Sequence, residues 1–111
     1  MDMTTTETDG VTVVRVAGRI DSSTSAAFQD QMQAAVRTGP RVVLDLQKTA
    51  FVSSAGLRVV LMTAKATKAA AGRFALFGLV PAVHDVFKLS GFAQIVTILA
   101  SEAEAIALVR G

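Results

Sequence analysis

Asp45-Leu46-Gln47-Lys48-Thr49-Ala50-Phe51-Val52-Ser53-Ser54-Ala55-Gly56-Leu57-Arg58-Val59-Val60-Leu61 is where the hydrophobic period of the chain changes. Val42-Val43-Leu44 runs into it as a continuous apolar segment, and Leu57, Val60, Leu61 and Ala64 leave it at helical spacing. The stretch predicts a buried strand, a short bend carrying two serines, and the opening of a helix. A serine there can cap the helix, its oxygen accepting from a backbone N–H two or three residues on, where the first four amides lack intrahelical partners. The same end suits a phosphate, because free N–H groups and the helix dipole both favour negative charge.

On the N-terminal side, Thr4 to Thr8 predicts a short edge strand, joined through the hairpin dipeptide Asp9-Gly10 to a strand from Val11 to Val16. Gly18-Arg19-Ile20-Asp21 ends that strand. Asp21, Ser22 or Ser23 then starts a helix with Phe28, Met32, Ala35 and Val36 on one face, stopped by Gly39-Pro40. Arg41 to Leu46 is a strand covered on both faces, with Asp45 as its one internal charge. A strand-end carboxylate of this kind is expected to bond nearby backbone N–H or hydroxyl groups.

On the C-terminal side, a helix from about Ala55 to Ala71 keeps Leu57, Leu61, Ala64 and Lys68 near one line, with Arg58, Lys65 and Thr67 pointing elsewhere and Gly72 as its stop. Phe74 to Phe77 is a short strand. Pro81 opens a brief helix with Val83, Val86 and Phe87 inward, closed by Ser90-Gly91. Ile95 to Ile98 is the last strand, and Ser101-Glu102-Ala103-Glu104 has the spacing of a capping box before a helix that buries Ala105, Leu108 and Val109. This order predicts an α/β fold: one mixed sheet of four to five strands, an N-terminal antiparallel hairpin followed by parallel strands, covered by about four helices. Residues 1–111 are expected to form a single domain.

Composition narrows the function classes. Apolar residues make up 51% and charged residues 18%, too apolar for a disordered chain. Eleven Lys and Arg against nine Asp and Glu leave a net charge of +2, no strong field for nucleic acid or anionic lipid. Cysteine is absent, which excludes a thiol nucleophile and fits the cytoplasm. The polar N-terminal segment lacks the basic and apolar regions of a signal peptide, and no apolar run approaches the roughly 18 residues of a membrane span. His84 is the only histidine, and the Gly-x-Ser-x-Gly spacing of a nucleophile elbow is missing, as are a P-loop and a clustered metal-ligand set. Asp21 and Asp45 do not supply the acidic pair and strand-end lysine of a phosphoacceptor receiver. The chain is read as a non-enzyme without a cofactor of its own.

Phe51-Val52-Ser53-Ser54-Ala55-Gly56-Leu57, preceded by Asp45-Leu46, resembles the signature of the STAS domain of bacterial anti-sigma factor antagonists. Gly18-Arg19-Ile20-Asp21 and Ser90-Gly91-Phe92 are similar to two flanking turns of that family, and the order of elements is also that of the STAS fold. The resemblance implies that Ser54, two places before the glycine, is phosphorylated by a partner kinase, with Ser53 as the second candidate. The position before the acceptor is commonly Asp in the family and is Ser53 here. It further implies an anti-sigma factor that is also a serine kinase as partner, supplying ATP and Mg2+. A PP2C-type phosphatase would reset the switch, and a sigma factor would be released while the protein is unphosphorylated. Asp21, Ser53, Ser54, Gly56, Arg58 and Met62 are the expected partner-binding residues, Arg58 as counter-ion or recognition group. The alternative is a constitutive STAS scaffold or accessory subunit of a stressosome-like or transporter assembly, in which the serine is only a cap.

Overall fold

Asp9 and Gly10 both adopt left-handed backbone, with φ of 53° and 78°, the conformation that a two-residue hairpin turn needs to match the twist of its strands. They join β1 (Asp2–Thr8) to β2 (Val11–Ile20), which pair antiparallel from Thr8↔Val11 to Asp2↔Ala17. The computed structural model describes residues 1–111. Beyond the hairpin, β3 (Arg41–Val52), β4 (Arg73–Phe77) and β5 (Thr97–Leu99) add in parallel, giving one five-stranded sheet in the order β1-β2-β3-β4-β5. Between and after them lie α1 (Ser25–Thr38), α2 (Ser54–Ala69), α3 (Pro81–Leu89), a 3-10 turn at Phe92–Gln94, and α4 (Glu102–Arg110). The mixed sheet and four helices expected from the sequence are the observed architecture. No helix is long and apolar enough to cross a membrane.

Alternation along the strands divides the core into two layers. Val14, Val16, Val42, Leu44 and Leu46 pack with Phe28 and Met32 of α1, Leu57 and Val60 of α2, and Val83 and Phe87 of α3. Val11, Val13, Val43, Ala75 and Phe77 form a second layer with Ala105, Ile106 and Val109 of α4. Each fully buried side chain of this size contributes about 1.5–3 kcal/mol relative to exposure. Both faces of the central strands are therefore covered, and the apolar run Val42-Val43-Leu44 has its cause.

Several boundaries differ from the sequence expectation. β3 does not stop at Leu46 but runs on to Val52, because two register shifts against β2 interrupt the alternation. Thr49 is buried on that extension, its hydroxyl donating to the Val16 carbonyl at 2.9 Å. β5 spans Thr97–Leu99 rather than Ile95 to Ile98, since the 3-10 turn uses the preceding residues and leaves Ile95 exposed. In α4 the buried set is Ala105, Ile106 and Val109, and Leu108 lies outside. In α2 the inward line is Gly56, Leu57, Val59, Val60, Thr63 and Thr67, with Leu61 half-buried and Lys68 exposed. The two threonines are tolerated inside because each hydroxyl donates back to its own helix, to Val59 and Ala64 carbonyls.

Charge ties α4 to the sheet. Arg15 on β2 reaches Asp45, its register partner on β3, at 2.7 Å and holds Glu102 at the start of α4 with two bonds of 2.6 and 3.1 Å. Asp45 also accepts from the Gln47 amide at 2.9 Å, the backbone role expected of it. The hydrogen bond from Arg15 holds the Glu102 carboxyl below its ordinary range. A carboxyl lowered on folding adds stability above its unfolded value, about 4.3 for Glu, and that contribution is lost as pH falls through the lower folded value. Glu102→Gln is accordingly expected to reduce stability at neutral pH and to flatten the acid limb of a stability-against-pH curve measured by urea unfolding between pH 2 and 7.

Candidate functional site

The bend after β3 is built by the two serines in different ways. Ser53 sits in extended conformation as the N-cap of α2, and its hydroxyl oxygen accepts from the Gly56 amide at 3.2 Å. Ser54 is the first residue of α2, exposed, and no hydrogen bond engages its hydroxyl. The Ser53 amide donates to the Ile20 carbonyl at 2.7 Å, so the parallel pairing of β2 and β3 continues into the bend. That bond brings the loop after β2, with Asp21, beside the serines.

Gly56 is required by close packing. A Cβ at this position would lie 2.7 Å from the Ile20 Cγ2 and 3.0 Å from the Val52 Cγ1, both core methyl groups. The first turn of α2 therefore rests directly on the ends of β2 and β3. Gly56→Ala is expected to lower stability by about 1–3 kcal/mol through overpacking, read as a lower urea midpoint at unchanged slope.

Asp21 holds its own loop. Its Oδ1 accepts from the Ser23 hydroxyl at 2.7 Å and the Ser23 and Thr24 amides at 3.0 and 3.2 Å, while the Asp21 amide donates to Thr24 Oγ1 at 2.8 Å. These bonds, the Ser23 hydroxyl foremost, lower its pKa and keep it ionised. Residues 21–24 form a turn, and α1 begins only at Ser25 with Thr24 at its cap position, later than the start expected at Asp21, Ser22 or Ser23.

Arg58 and Met62 follow Ser54 at intervals of four, and all three are exposed. Residues four apart lie one above another on a helix, so Ser54, Arg58 and Met62 form one outward stripe on α2. The six residues expected to bind a partner thus divide: Ser54, Arg58 and Met62 line the surface, Ser53 and Asp21 shape the loops, and Gly56 seats the helix. Two contributors were not singled out from sequence. Arg19 lies over the Phe51 ring at 4.4 Å from its centroid, and Phe51 keeps 36% of its surface exposed. Their signal was the pairing of the two motifs: Arg19 and Phe51 are register neighbours on β2 and β3.

His84 is exposed on α3, in a hollow with Gly78, Leu79, Ile98 and Leu99 rather than with either serine. No three His, Cys, Asp or Glu side chains gather as metal ligands. The arrangement at the bend is suited to presenting a hydroxyl and a helical stripe to another macromolecule.

The chain is similar to known proteins over nearly its whole length. The family model for the STAS domain matches residues 2–105. The Bordetella bronchiseptica protein BtrV, named as an anti-sigma factor antagonist, is 37% identical over 108 residues, covering 96% of this chain and 93% of its own length. The crystal structure of an anti-sigma factor antagonist from Thermotoga maritima superposes with a TM-score of 0.91 at 22% identity, covering 98% of this chain and 95% of that one. The Bacillus cell fate determinant SpoIIAA in its phosphorylated form superposes with a TM-score of 0.74 at 24% identity, covering 97% and 99%.

Proposed function

Since the chain belongs to the STAS domain family, we propose that it is an anti-sigma factor antagonist whose binding is controlled by phosphorylation of Ser54. Unphosphorylated, it binds an anti-sigma factor that is also a serine kinase, through the Ser54, Arg58 and Met62 stripe and the neighbouring Asp21 loop. A sigma factor is thereby released to RNA polymerase. The kinase transfers the γ-phosphoryl group of its ATP to the Ser54 hydroxyl, which ends binding, and a PP2C-type phosphatase restores the free serine. The protein acts in the cytoplasm as ligand and substrate, with the chemistry supplied by its partners.

One observation carries this reading: of two adjacent serines, Ser53 is engaged as the helix cap and Ser54 stands exposed at the head of the stripe. A phosphate on Ser54 brings about 1.5 to 2 negative charges. It sits at the positive end of α2, one turn before Arg58, so the free protein accommodates it. Docked, the same charge would be stripped of water against a partner surface, and an uncompensated buried charge costs several kcal/mol.

The test is incubation with the kinase partner and Mg-ATP, followed by intact mass measurement, site mapping and a binding assay on the product. One added phosphate at Ser54 with loss of binding is expected. Unmodified protein, or modified protein that binds as before, would overturn the reading in favour of a constitutive scaffold.

A further inference from the structure

The two edges of the sheet are unlike. β5 offers only three residues, whereas β1 offers seven, six of them exposed, in unbroken register with β2. Natural edge strands are guarded against pairing by shortness, bulges, proline or charged side chains, lysine above all. β1, with sequence Asp2-Met3-Thr4-Thr5-Thr6-Glu7-Thr8, is long, unbulged and free of proline and lysine, and its only charges, Asp2 and Glu7, stand near its two ends. Its composition is mostly threonine, a β-branched residue suited to strands.

Hairpin geometry determines which groups face outwards. A two-residue turn closes on a hydrogen-bonded pair, here Thr8↔Val11, and bonded and unbonded positions alternate from there. The amides and carbonyls of Met3, Thr5 and Glu7 therefore point away from β2 towards open solvent.

We infer that β1 is a pairing edge for a second copy of this chain, two β1 strands lying antiparallel about a two-fold axis at Thr5. In that register Thr5 meets the partner's Thr5, Thr4 meets the partner's Thr6, Met3 meets the partner's Glu7, and Asp2 meets the partner's Thr8. The strand's two carboxylates never oppose each other. A parallel pairing in register would stack Asp2 and Glu7 on their own copies, and like charges directly opposite destabilise a sheet. Pairing of this kind, with the same residues on both sides of a two-fold axis, gives the closed, isologous dimer, and the staggered carboxylates leave no like charges opposed in it. Pairing joins two five-stranded sheets into one of ten strands. The Thr5 hydroxyl, which accepts from Gln31 Nε2 of α1, brings one Gln31 from each copy to the axis. None of the α2 stripe residues takes part, so this inference is independent of the Ser54 reading.

Sedimentation equilibrium of the full chain, raised to about 1 mM so that a weak complex is populated, tests it. A monomer–dimer equilibrium is expected for the wild type. Thr5→Pro removes the outward amide while sparing the bonds to β2, and proline is accommodated on edge strands. Thr5→Lys places two ammonium groups at the axis. Both are expected to weaken the dimer at least about tenfold, with far-UV circular dichroism and melting temperature close to wild type. Should Thr5→Pro fold poorly, Thr5→Lys alone decides. A wild type that stays monomeric throughout the range, or a dimer that survives Thr5→Lys unchanged, would overturn the inference.

Discussion

Ser54→Asp is expected to bind the anti-sigma partner about a hundredfold more weakly than the wild type, a loss of about 2.8 kcal/mol, while melting at the same temperature or slightly above it. The two effects have opposite signs because the same carboxylate meets two environments. In the free protein it occupies the first position of α2, where the helix dipole favours a negative charge by about 0.3–1 kcal/mol, and Arg58 four residues on adds a few tenths more. In the complex it loses its water without a matched cation, and an unpaired buried charge costs about 3–5 kcal/mol. A carboxylate carries less charge than a phosphate, so the lower part of that range applies. Ser54→Ala should keep its affinity within a few-fold and refuse phosphate. Ser53→Asp replaces one good N-cap by another and should change affinity far less. Titration calorimetry beside thermal melts separates these cases. Full affinity in the Ser54→Asp protein would exclude a charge switch at this residue, and loss of binding confined to Ser53→Asp would move the acceptor by one position.

The elements that were legible beforehand are those whose patterns are local. Asp9-Gly10 between two apolar-alternating segments specified a hairpin, and Val42-Val43-Leu44 specified a strand buried on both faces; both stand. Where tertiary structure resets a pattern, the reading failed. Beyond Leu46 the chain reads Gln47-Lys48-Thr49-Ala50, which breaks alternation, yet the strand continues because β3 carries residues in excess of β2 at two irregular positions. A bulge is invisible to a period count, since it is defined by the neighbouring strand. A helical line drawn through Leu57, Leu61, Ala64 and Lys68 points Thr67 elsewhere, yet Thr67 is buried, because its hydroxyl is satisfied within α2 by the Ala64 carbonyl. At the bend the serine pair was visible, whereas the division of labour between the two hydroxyls was not. It depends on which residue takes extended backbone, and that follows from the length of β3 and the Ser53 bond to Ile20.

Gly72→Ala is expected to destabilise the fold by about 3 kcal/mol or more, the range reached when overpacking cannot relax, and to lower the melting temperature by roughly 4 °C for each kcal/mol at this chain length. Sequence placed Gly72 as the stop of α2, and the structure gives it a different task. The Gly72 amide donates to the Thr67 carbonyl at 2.7 Å and the Ala71 amide to the Lys68 carbonyl at 3.0 Å, the paired bonds of a Schellman motif. In that motif the left-handed residue is the one before Gly72, and Ala71 indeed has φ of 58°. Gly72 is needed instead because a Cβ there would lie 2.0 Å from the Pro40 carbonyl oxygen and 2.6 Å from its carbon. That oxygen accepts from the Arg73 amide at 3.0 Å where β4 begins beside β3, so the backbone cannot yield without giving up the bond. Ala71→Gly should act in the opposite direction, raising stability by about 0.5 kcal/mol: relief of the left-handed alanine, about 1–2 kcal/mol, is partly offset by the greater freedom of glycine in the unfolded chain. Chemical unfolding of both proteins checks the pair. A neutral Gly72→Ala would mean that the Pro40 carbonyl does not lie against this position and that α2 leaves the sheet by another path, and a destabilising Ala71→Gly would mean that residue 71 is not left-handed.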